Sequence, residues 1–225
     1  HFAHVLRHRD RVPSPFDARI SLEEHRKAAD YTAAKVRLAR WDLVAEALVL
    51  LGWTLGGGLA WVDGPWRELG LGETVRGVGV LGTVVLVGMI IDLPFAAYRT
   101  FVIEERFGFN RTSPGLFAAD QLKQVAVLLV LGVPLGLAIV ATVVHAGTWW
   151  WLYAWLLWLG FSLAMVWAYP TLIAPLFNRF TPLEDDAVRA RVERLLQRNG
   201  LASDGVYVMD GSRRSGHGNA YFTGF

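Results

Sequence analysis

The sequence predicts an all-α membrane protein with a bundle of four transmembrane helices, followed by the start of a cytoplasmic α+β domain. Three observations lead to this fold class. Of the 225 residues, 53% are hydrophobic and ten are tryptophan, whereas a soluble domain is about 45–50% apolar. The apolar residues are concentrated in four segments, each near the ~20 residues that a helix needs to cross a bilayer. After these segments the pattern changes to one helix and two short strands.

The N-terminal segment, residues 1–42, is predicted to be cytoplasmic and to contain one helix. Ser21-Leu22-Glu23-Glu24 is a capping-box pattern. In such a box the serine side chain accepts a backbone hydrogen bond, and the glutamate side chain accepts one in return. We expect a helix that begins near Leu22 and continues into the first span.

The membrane region, residues 43–170, contains the predicted spans. These are residues 43–62, 77–98, 125–144 and 149–169. Two glycine pairs, Gly52 with Gly56 and Gly132 with Gly136, have a spacing of four residues. Such pairs let helices approach one another closely in lipid. We therefore expect a tightly packed bundle.

Asp92 lies inside the second predicted span, and two interpretations of it stay open. A carboxylate at membrane depth costs about 2.5–3.5 kcal/mol on insertion scales and therefore indicates a functional site. Pro94 and Tyr98 follow closely, however, and indicate that the helix is reaching the membrane surface, where the charge is hydrated. The second interpretation is favoured.

A cytoplasmic loop is predicted between the second and third spans, over residues 99–124. Ser113-Pro114 predicts a helix start, because proline at the first helical position loses no hydrogen bond. Glu104 and Glu105 are an acidic pair in this loop. Neighbours on a helix do not face each other, so ion pairs are expected instead of an acid–base dyad. Their expected partners are Arg106, Arg111 or Lys123.

The basic residues predict the orientation of the spans. They are concentrated before the first span, between the second and third, and after the fourth, so the positive-inside rule puts both termini in the cytoplasm. Arginine far outnumbers lysine, which indicates a GC-rich bacterial genome and therefore a bacterial cell membrane. The net charge of +2 gives no support for nucleic-acid binding, and lipid is the expected surrounding partner. The absence of cysteine excludes disulfides and cysteine metal sites.

The C-terminal segment, residues 171–225, is predicted to begin a cytoplasmic domain. Thr181-Pro182-Leu183-Glu184 is a second capping-box pattern. The apolar residues that follow have helical spacing and predict an amphipathic helix, which ends at Gly200. They are Val188, Val192, Leu195 and Leu196. Strands are expected at 206–210 and 219–222, joined by a loop over 211–218. One helix and two strands predict the start of a domain, so the chain looks truncated.

Two sequence patterns contain residue types found in active sites, but both are rejected as catalytic sites. Asp210, Ser212, Ser215 and His217 contain a Ser-His-Asp set, but a glycine-rich loop offers no fixed geometry for a triad. His4 and His8 have zinc-type spacing, but valine stands where the glutamate base of a His-Glu-x-x-His motif is required. No catalytic residue and no metal ligand are predicted within this chain.

Three segments, taken together and in order, carry a family resemblance. They are Ala29-Asp30-Tyr31-Thr32 with Lys35 and Arg37; residues 101–112 (FVIEERFGFNRT) with Asp120 and Lys123; and residues 206–212 (VYVMDGS) with Arg214-Ser215, His217 and Asn219-Ala220-Tyr221-Phe222. This set resembles the type 1 CAAX prenyl protease family, integral membrane zinc metalloproteases.

The resemblance implies a helical membrane chamber with a cytoplasm-facing α+β zinc-protease domain, of which this chain contains the start. Asn219, Ala220, Tyr221 and Phe222 would line the cleft and bind an extended substrate through backbone hydrogen bonds. Arg214 and His217 would lie next to that cleft. Zinc is the implied cofactor, with its ligands expected beyond residue 225. The implied substrates are prenylated or other membrane-associated peptides and proteins, and this chain alone would be inactive.

Two alternatives remain open. A non-catalytic membrane scaffold or quality-control protein could retain the bundle without the metal centre. A small transporter is supported only by Asp92 and the glycine-containing helices. The natural substrate and the oligomeric state are not predicted.

Overall fold

Helices account for most of the structure, a computed structural model that describes residues 2–201, 203, 205–218 and 220. The helices are α1 (Phe2–Arg7), α2 (Leu22–Thr54), α3 (Gly58–Glu68), α4 (Glu73–Tyr98), α5 (Glu105–Phe107), α6 (Pro114–Val127), α7 (Val133–His145), α8 (Trp150–Ala168), α9 (Ala174–Phe177) and α10 (Asp186–Arg198). The strands β1 (Phe180–Pro182) and β2 (Tyr207–Met209) form one antiparallel pair. The π-helical turns are Arg99–Glu104, Leu128–Gly132 and Tyr169–Ile173.

Two compact units make up the chain. The first contains His1–Asn110 and Val133–Ala154, and the second contains Arg111–Gly132 and Trp155–Phe225. Helices α1 to α5 and α7 therefore belong to the first unit. Helices α6, α9 and α10 and both strands belong to the second.

Three helices within the described residues are long and apolar enough to cross a membrane. They are Glu73–Phe107, Pro114–His145 and Gly147–Phe177. Helices α2 and α3 pass the same test only as a pair, bent by 56° at the break between them. Four spans were predicted. The described residues contain three continuous helices of spanning length, or four spans if the bent pair counts as one. The predicted multi-pass helical membrane protein is confirmed, but the four-helix bundle is not.

The first predicted span, residues 43–62, is wrong as a single helix. Helix α2 begins at the predicted capping box, where the Glu24 amide donates to Ser21 Oγ at 3.2 Å and the Ser21 amide donates to Glu24 Oε2 at 2.9 Å. It ends before Gly57, which has a φ of +74°, a conformation that glycine adopts without steric cost. A Cβ on Gly56 would lie 2.7 Å from the Gly52 carbonyl oxygen. The Gly52–Gly56 pair therefore marks a helix break, not a helix–helix contact.

The predicted cytoplasmic loop 99–124 is much shorter than expected. The helix continues past the second predicted span through a π-helical turn and α5, and it ends at Gly108, whose φ is +79°. The next helix starts at Pro114, as predicted, with Ser113 Oγ accepting from the Leu116 amide at 3.2 Å. Only residues 108–113 lie between the helices. Of the charged residues in the predicted loop, Glu104, Glu105 and Arg106 lie in the last turns of the first helix, and Asp120 and Lys123 lie in α6.

Small residues set the close contacts within the first unit. A Cβ on Gly77 of α4 would lie 2.9 Å from Val140 of α7, and one on Gly136 would lie 3.7 Å from Val78. The Trp66 ring lies so close to Gly79 that an added Cβ would be 2.5 Å from it. The predicted pair Gly132 and Gly136 is divided: Gly136 is in ordinary contact with Val78 of α4, whereas a Cβ on Gly132 would meet only Leu128 of its own helical segment.

In the second unit, the predicted capping box at Thr181 to Glu184 is wrong. Thr181 is paired with Val208 in the sheet, and α10 begins only after Asp185, whose Oδ1 accepts from the Val188 amide at 3.0 Å. Strand pairing determines the start of this helix, because Thr181 cannot be both a strand residue and a helix cap. The predicted strand over 206–210 is confirmed as β2.

The second predicted strand, residues 219–222, cannot be compared in full. Asn219, Tyr221 and Phe222 lie outside the described residues. Ala220 is exposed and has no regular secondary structure. This strand, and with it the predicted α+β domain, stays a prediction.

Candidate functional site

A charged contact at the centre of the second unit defines the candidate site. Asp120 of α6 is 8% exposed and is the only buried charged side chain among the described residues. Arg214 donates to both of its oxygens, from Nε to Oδ2 at 2.7 Å and from Nη2 to Oδ1 at 3.0 Å. Such bidentate pairs combine charge with fixed geometry. The structure therefore places Arg214, predicted to lie near a cleft, in a rigid buried contact.

Arg214 is held at both its side chain and its backbone. Its Nη1 donates to Asn178 Oδ1 at 3.1 Å. Its carbonyl oxygen accepts from the Arg111 amide at 3.1 Å and from Thr112 Oγ1 at 3.0 Å. Three separate parts of the second unit thus fix one residue of the loop after β2. We call Asp120, Asn178, Arg214, Arg111 and Thr112 the Arg214 anchor.

Lys123 extends this network by one helical turn. Residues three apart on a helix lie on the same face, and Lys123 Nζ is 3.8 Å from Asp120 Oδ1. It also donates to the Leu176 carbonyl at the end of α9 at 2.8 Å. Lys123 was one of three partners expected for Glu104 and Glu105, but the carboxylate it contacts is Asp120. The side-chain hydrogen bond to Asp120 raises the pKa of Arg214, so the guanidinium stays charged.

Asp210 secures the start of the same loop. Its Oδ1 accepts from the Arg179 amide at 2.7 Å, its own amide donates to the Arg179 carbonyl at 3.1 Å, and Arg213 Nη1 lies 3.4 Å from Oδ2. The hydrogen bond from the Arg179 backbone, aided by Arg213, holds the pKa of Asp210 below its usual range. A triad aspartate must instead orient the imidazole. The rejection of a triad at Asp210, Ser212, Ser215 and His217 stays a prediction.

The remaining residues predicted for the site follow the Arg214 anchor in sequence. His217 is exposed, and its amide donates to Ser215 Oγ at 3.2 Å. Ala220 is exposed, and its predicted neighbours Asn219, Tyr221 and Phe222 lie outside the described residues. The cleft roles of all five residues stay predictions.

A second polar cluster lies in the first unit and joins two of the segments that carry the family resemblance. The Tyr31 hydroxyl donates to Glu104 Oε1 at 2.6 Å. The Tyr31 ring lies 5.2 Å from Phe107 and 5.1 Å from Phe109, and Lys35 Nζ is 4.9 Å from the Tyr31 ring centre. Sequence analysis singled out both Tyr31 and Glu104 but did not pair them, because no local pattern links positions this far apart in the chain.

Asp92 belongs to a carboxylate cluster that sequence analysis missed. Oxygens of Asp42 and Glu46 on α2 and Asp92 on α4 lie within 4.8 Å of one another. Arg99 Nη2 is 3.8 Å from Asp42 Oδ2. Asp42 and Glu46 are themselves one turn apart, which is the only signal the sequence gives for the cluster. Both interpretations of Asp92 stay predictions.

The implied zinc ion does not fit the residues described. The Asp42, Glu46 and Asp92 cluster is the only group of three or more potential ligands in the described part of the chain. It contains carboxylates alone, two of them exposed, whereas catalytic zinc sites are built mainly from histidine nitrogens. No catalytic step is therefore assigned to a metal at these residues.

Comparison with known proteins gives consistent matches. Residues 1–179 match the model of a family described as CAAX prenyl protease N-terminal, five membrane helices. A CAAX prenyl protease 1 homolog from Oryza sativa subsp. japonica is 34% identical, over 95% of this chain and 52% of that protein. CAAX prenyl protease 1 from Saccharomyces cerevisiae is 31% identical, over 95% of this chain and 49% of that protein.

A solved structure matches over nearly all of the chain. The crystal structure of S. mikatae Ste24p has a TM-score of 0.86 and 26% identity, and the match covers 99% of this chain and 53% of that one. The chain spans about half the length of the relatives it matches. These relatives are eukaryotic, so the bacterial source indicated by the arginine content gains no support and stays a prediction.

Proposed function

The chain belongs to the CAAX prenyl protease family, and from this premise we propose that it is the N-terminal part of a membrane zinc metalloendopeptidase. Its substrates are prenylated or other membrane-associated peptides and proteins. In this proposal zinc is held by residues outside the described part of the chain, as the family resemblance implies. Residues 219–222 bind the extended substrate through their backbone. Both termini of this part of the protein face the cytoplasm, as the distribution of basic residues indicates.

The Arg214 anchor is the observation that carries this proposal. Arg111, Thr112 and Asp120 come from the second family-like segment of the sequence, and Arg214 comes from the third. The two segments are far apart in the chain, yet four hydrogen bonds join them. A contact of this kind supports a shared role for these two of the three segments that carry the family resemblance. That role is to fix the start of the strand proposed to bind substrate.

Protein expressed from the full gene provides the test. We expect about one zinc per chain, as in zinc endopeptidases with three protein ligands, and cleavage of a farnesylated peptide that a chelator abolishes. The control is the 225-residue chain prepared in the same detergent, for which we expect neither tightly bound zinc nor cleavage. Intact mass measurement establishes that both proteins are the intended species.

The same measurements separate the protease from the scaffold alternative. A full-length protein without zinc and without cleavage of farnesylated or unmodified membrane-bound peptides would contradict the proposal and support the scaffold. Cleavage of only the unmodified peptide would support the protease assignment and contradict the proposal that the substrates are prenylated.

A further inference from the structure

We propose that Arg37 and Arg40 of α2 bind the headgroup of an anionic phospholipid, whose acyl chains lie along the exposed apolar face that follows them. The inference goes beyond the proposed protease activity and does not depend on it. It concerns the surface of α2 before the helix break at Gly57, to which the proposed function assigns no role.

The basic pair, Arg37 and Arg40, has no acidic partner. Residues three apart on a helix lie on the same face, and both side chains are exposed. No acidic residue lies three or four positions from either arginine, and neither forms an ion pair with any other described residue. Like charges one turn apart repel each other. An anion bound between the two guanidinium groups would remove this repulsion.

Helix α1 orients one of the two arginines. Arg40 Cζ lies 4.4 Å from the centre of the Phe2 ring. Such stacking uses the flat face of the guanidinium, whereas its N–H donors lie in the plane of the group. Arginine binds phosphate through two of these in-plane donors. The contact with Phe2 therefore restricts Arg40 without using the donors that a phosphate needs.

The acidic residues in the same part of α2 lie on a different face. Asp42 and Glu46 belong to the carboxylate cluster with Asp92 of α4. At 3.6 residues per turn, Asp42 is about 140° and Glu46 about 180° around the helix axis from Arg37. Helix α2 thus presents its positive and negative charges on separate faces. An anion at the basic pair is directed away from these carboxylates.

An exposed apolar stripe continues from the basic pair along the same face of α2. Its members follow at helical spacing and are 47–83% exposed: Trp41, Val44, Leu48, Leu51 and Leu55. From Val44 to Leu55 the stripe extends roughly 16 Å along the helix axis, about half of the ~30 Å hydrocarbon core. The distance from the basic pair to the helix break therefore matches one leaflet of a bilayer.

The order of residues along this face matches the order of groups in a phospholipid. Tryptophan is enriched at the boundary between membrane and water, and the long arginine side chain keeps its charge among the headgroups. The basic pair lies at the phosphate end, Trp41 at the boundary, and the leucines along the acyl chains. A soluble anion would use the basic pair but not the leucines, so the stripe favours a lipid over free phosphate.

The test is the double substitution of Arg37→Gln and Arg40→Gln in the full-length protein in detergent. Native mass spectrometry with added phosphatidylglycerol measures the dissociation constant of the first lipid bound. We expect the double variant to bind this lipid about 30-fold more weakly, because each basic residue near an anionic lipid surface contributes roughly fivefold. The wild type should prefer phosphatidylglycerol to the zwitterionic phosphatidylcholine by a similar factor.

The matched control is the double substitution of Arg191→Gln and Arg194→Gln. These arginines are also exposed and three positions apart, but they lie on α10, outside the candidate membrane spans. The control removes the same charge and should leave phosphatidylglycerol binding unchanged. Arg37→Lys with Arg40→Lys keeps the charge but not the paired donors. Its affinity should lie between those of the wild type and the glutamine variant.

Each outcome decides the inference. Unchanged binding in the Arg37→Gln and Arg40→Gln variant would overturn it, and so would equal binding of the two lipids by the wild type. Displacement of the lipid by glycerol 3-phosphate or inorganic phosphate would identify a site for small anions and contradict a lipid site.

The 225-residue chain is measured beside the full-length protein. Binding through the basic pair in this chain alone would show that the rest of the protein covers the site, which would also overturn the inference. A full-length protein that binds the lipid as expected but cleaves no peptide would support the lipid site and contradict only the proposed function.

Discussion

Tyr31 lies on α2 in a setting that is apolar around its ring and charged at its hydroxyl. The ring contacts Phe107 and Phe109, whereas the hydroxyl donates to Glu104 Oε1 at 2.6 Å. Tyr31 is partly buried, and a tyrosine removed from water normally satisfies its hydroxyl in this way. The contact joins α2 to the π-helical turn after α4. One side chain thus links two elements that the sequence places 73 positions apart.

We predict that Tyr31→Phe destabilises the protein by about 1.5–3 kcal/mol, the range for hydrogen bonds to charged groups. The substitution keeps the ring contacts and removes only the hydroxyl donor. The thermal unfolding midpoint in detergent is the measurement. Tyr153→Phe, at a half-exposed position on α8, is the control and should change little. Equal shifts for both variants would show that the contact with Glu104 contributes nothing specific.

At the scale of elements, the break between α2 and α3 depends on glycine. Gly57 has a left-handed backbone at the break, whereas Gly52 is inside α2 with open space around its missing Cβ. Replacing glycine with alanine should therefore have opposite effects on stability at the two positions. A left-handed backbone costs an L-residue about 1–2 kcal/mol, and glycine inside a helix is about 0.8–1 kcal/mol less favourable than alanine.

We predict that Gly57→Ala lowers the unfolding midpoint and that Gly52→Ala raises it. Each change should correspond to about 1 kcal/mol. The measurement is thermal unfolding of both variants and the wild type in the same detergent, which shows whether each substitution raises or lowers the midpoint. A Gly57→Ala variant as stable as the wild type would mean that the helix continues straight through this position.

The starts of α2 and α10 show which local signals were sufficient. Ser21 and Glu24 correctly predicted the start of α2, because both members of the capping box lie within one turn and no strand pairing competes for them. Thr181 to Glu184 showed the same capping-box pattern before α10, but the backbone of Thr181 pairs with Val208 in the sheet. Asp185 became the cap instead. A local pattern failed where a contact from a distant strand used the same residue.

At the scale of the whole molecule, the number of crossings depends on the bent pair α2 and α3. If the pair is one broken span, residues before α2 and residues after α3 lie on opposite sides of the membrane. If it is a re-entrant hairpin, they lie on the same side. The positive-inside distribution favours the first arrangement, with Ser14 on the cytoplasmic side and Leu71 on the other.

We predict that single cysteines at Ser14 and Gln197 react with an impermeant thiol reagent only from the cytoplasmic side. Cysteines at Leu71 and Thr148 should react only from the opposite side. These 225 residues contain no cysteine, so each variant of this chain carries one reactive thiol. Labelling of intact cells and of inverted vesicles gives the comparison. Reaction of Ser14→Cys and Leu71→Cys from the same side would identify a re-entrant pair.

The apolar segments and the family-like motifs were readable from sequence because each is a run of neighbouring residues. The Arg214 anchor was not. Asp120 and Arg214 are 94 positions apart, and neither has a local pattern that marks it as a buried pair. The Asp42, Glu46 and Asp92 cluster was missed for the same reason. Tertiary contacts between charged groups need the fold before they can be recognised.

The distance along the chain between Asp120 and Arg214 has a consequence for biosynthesis. A ribosome adds about 5–20 residues per second, so Arg214 is made roughly 5–20 s after Asp120. During that interval Lys123, one turn further along α6, is the cation available to the carboxylate. The bidentate contact of Asp120 therefore forms only after Arg214 has been made, and the Arg214 anchor is among the later contacts of the second unit.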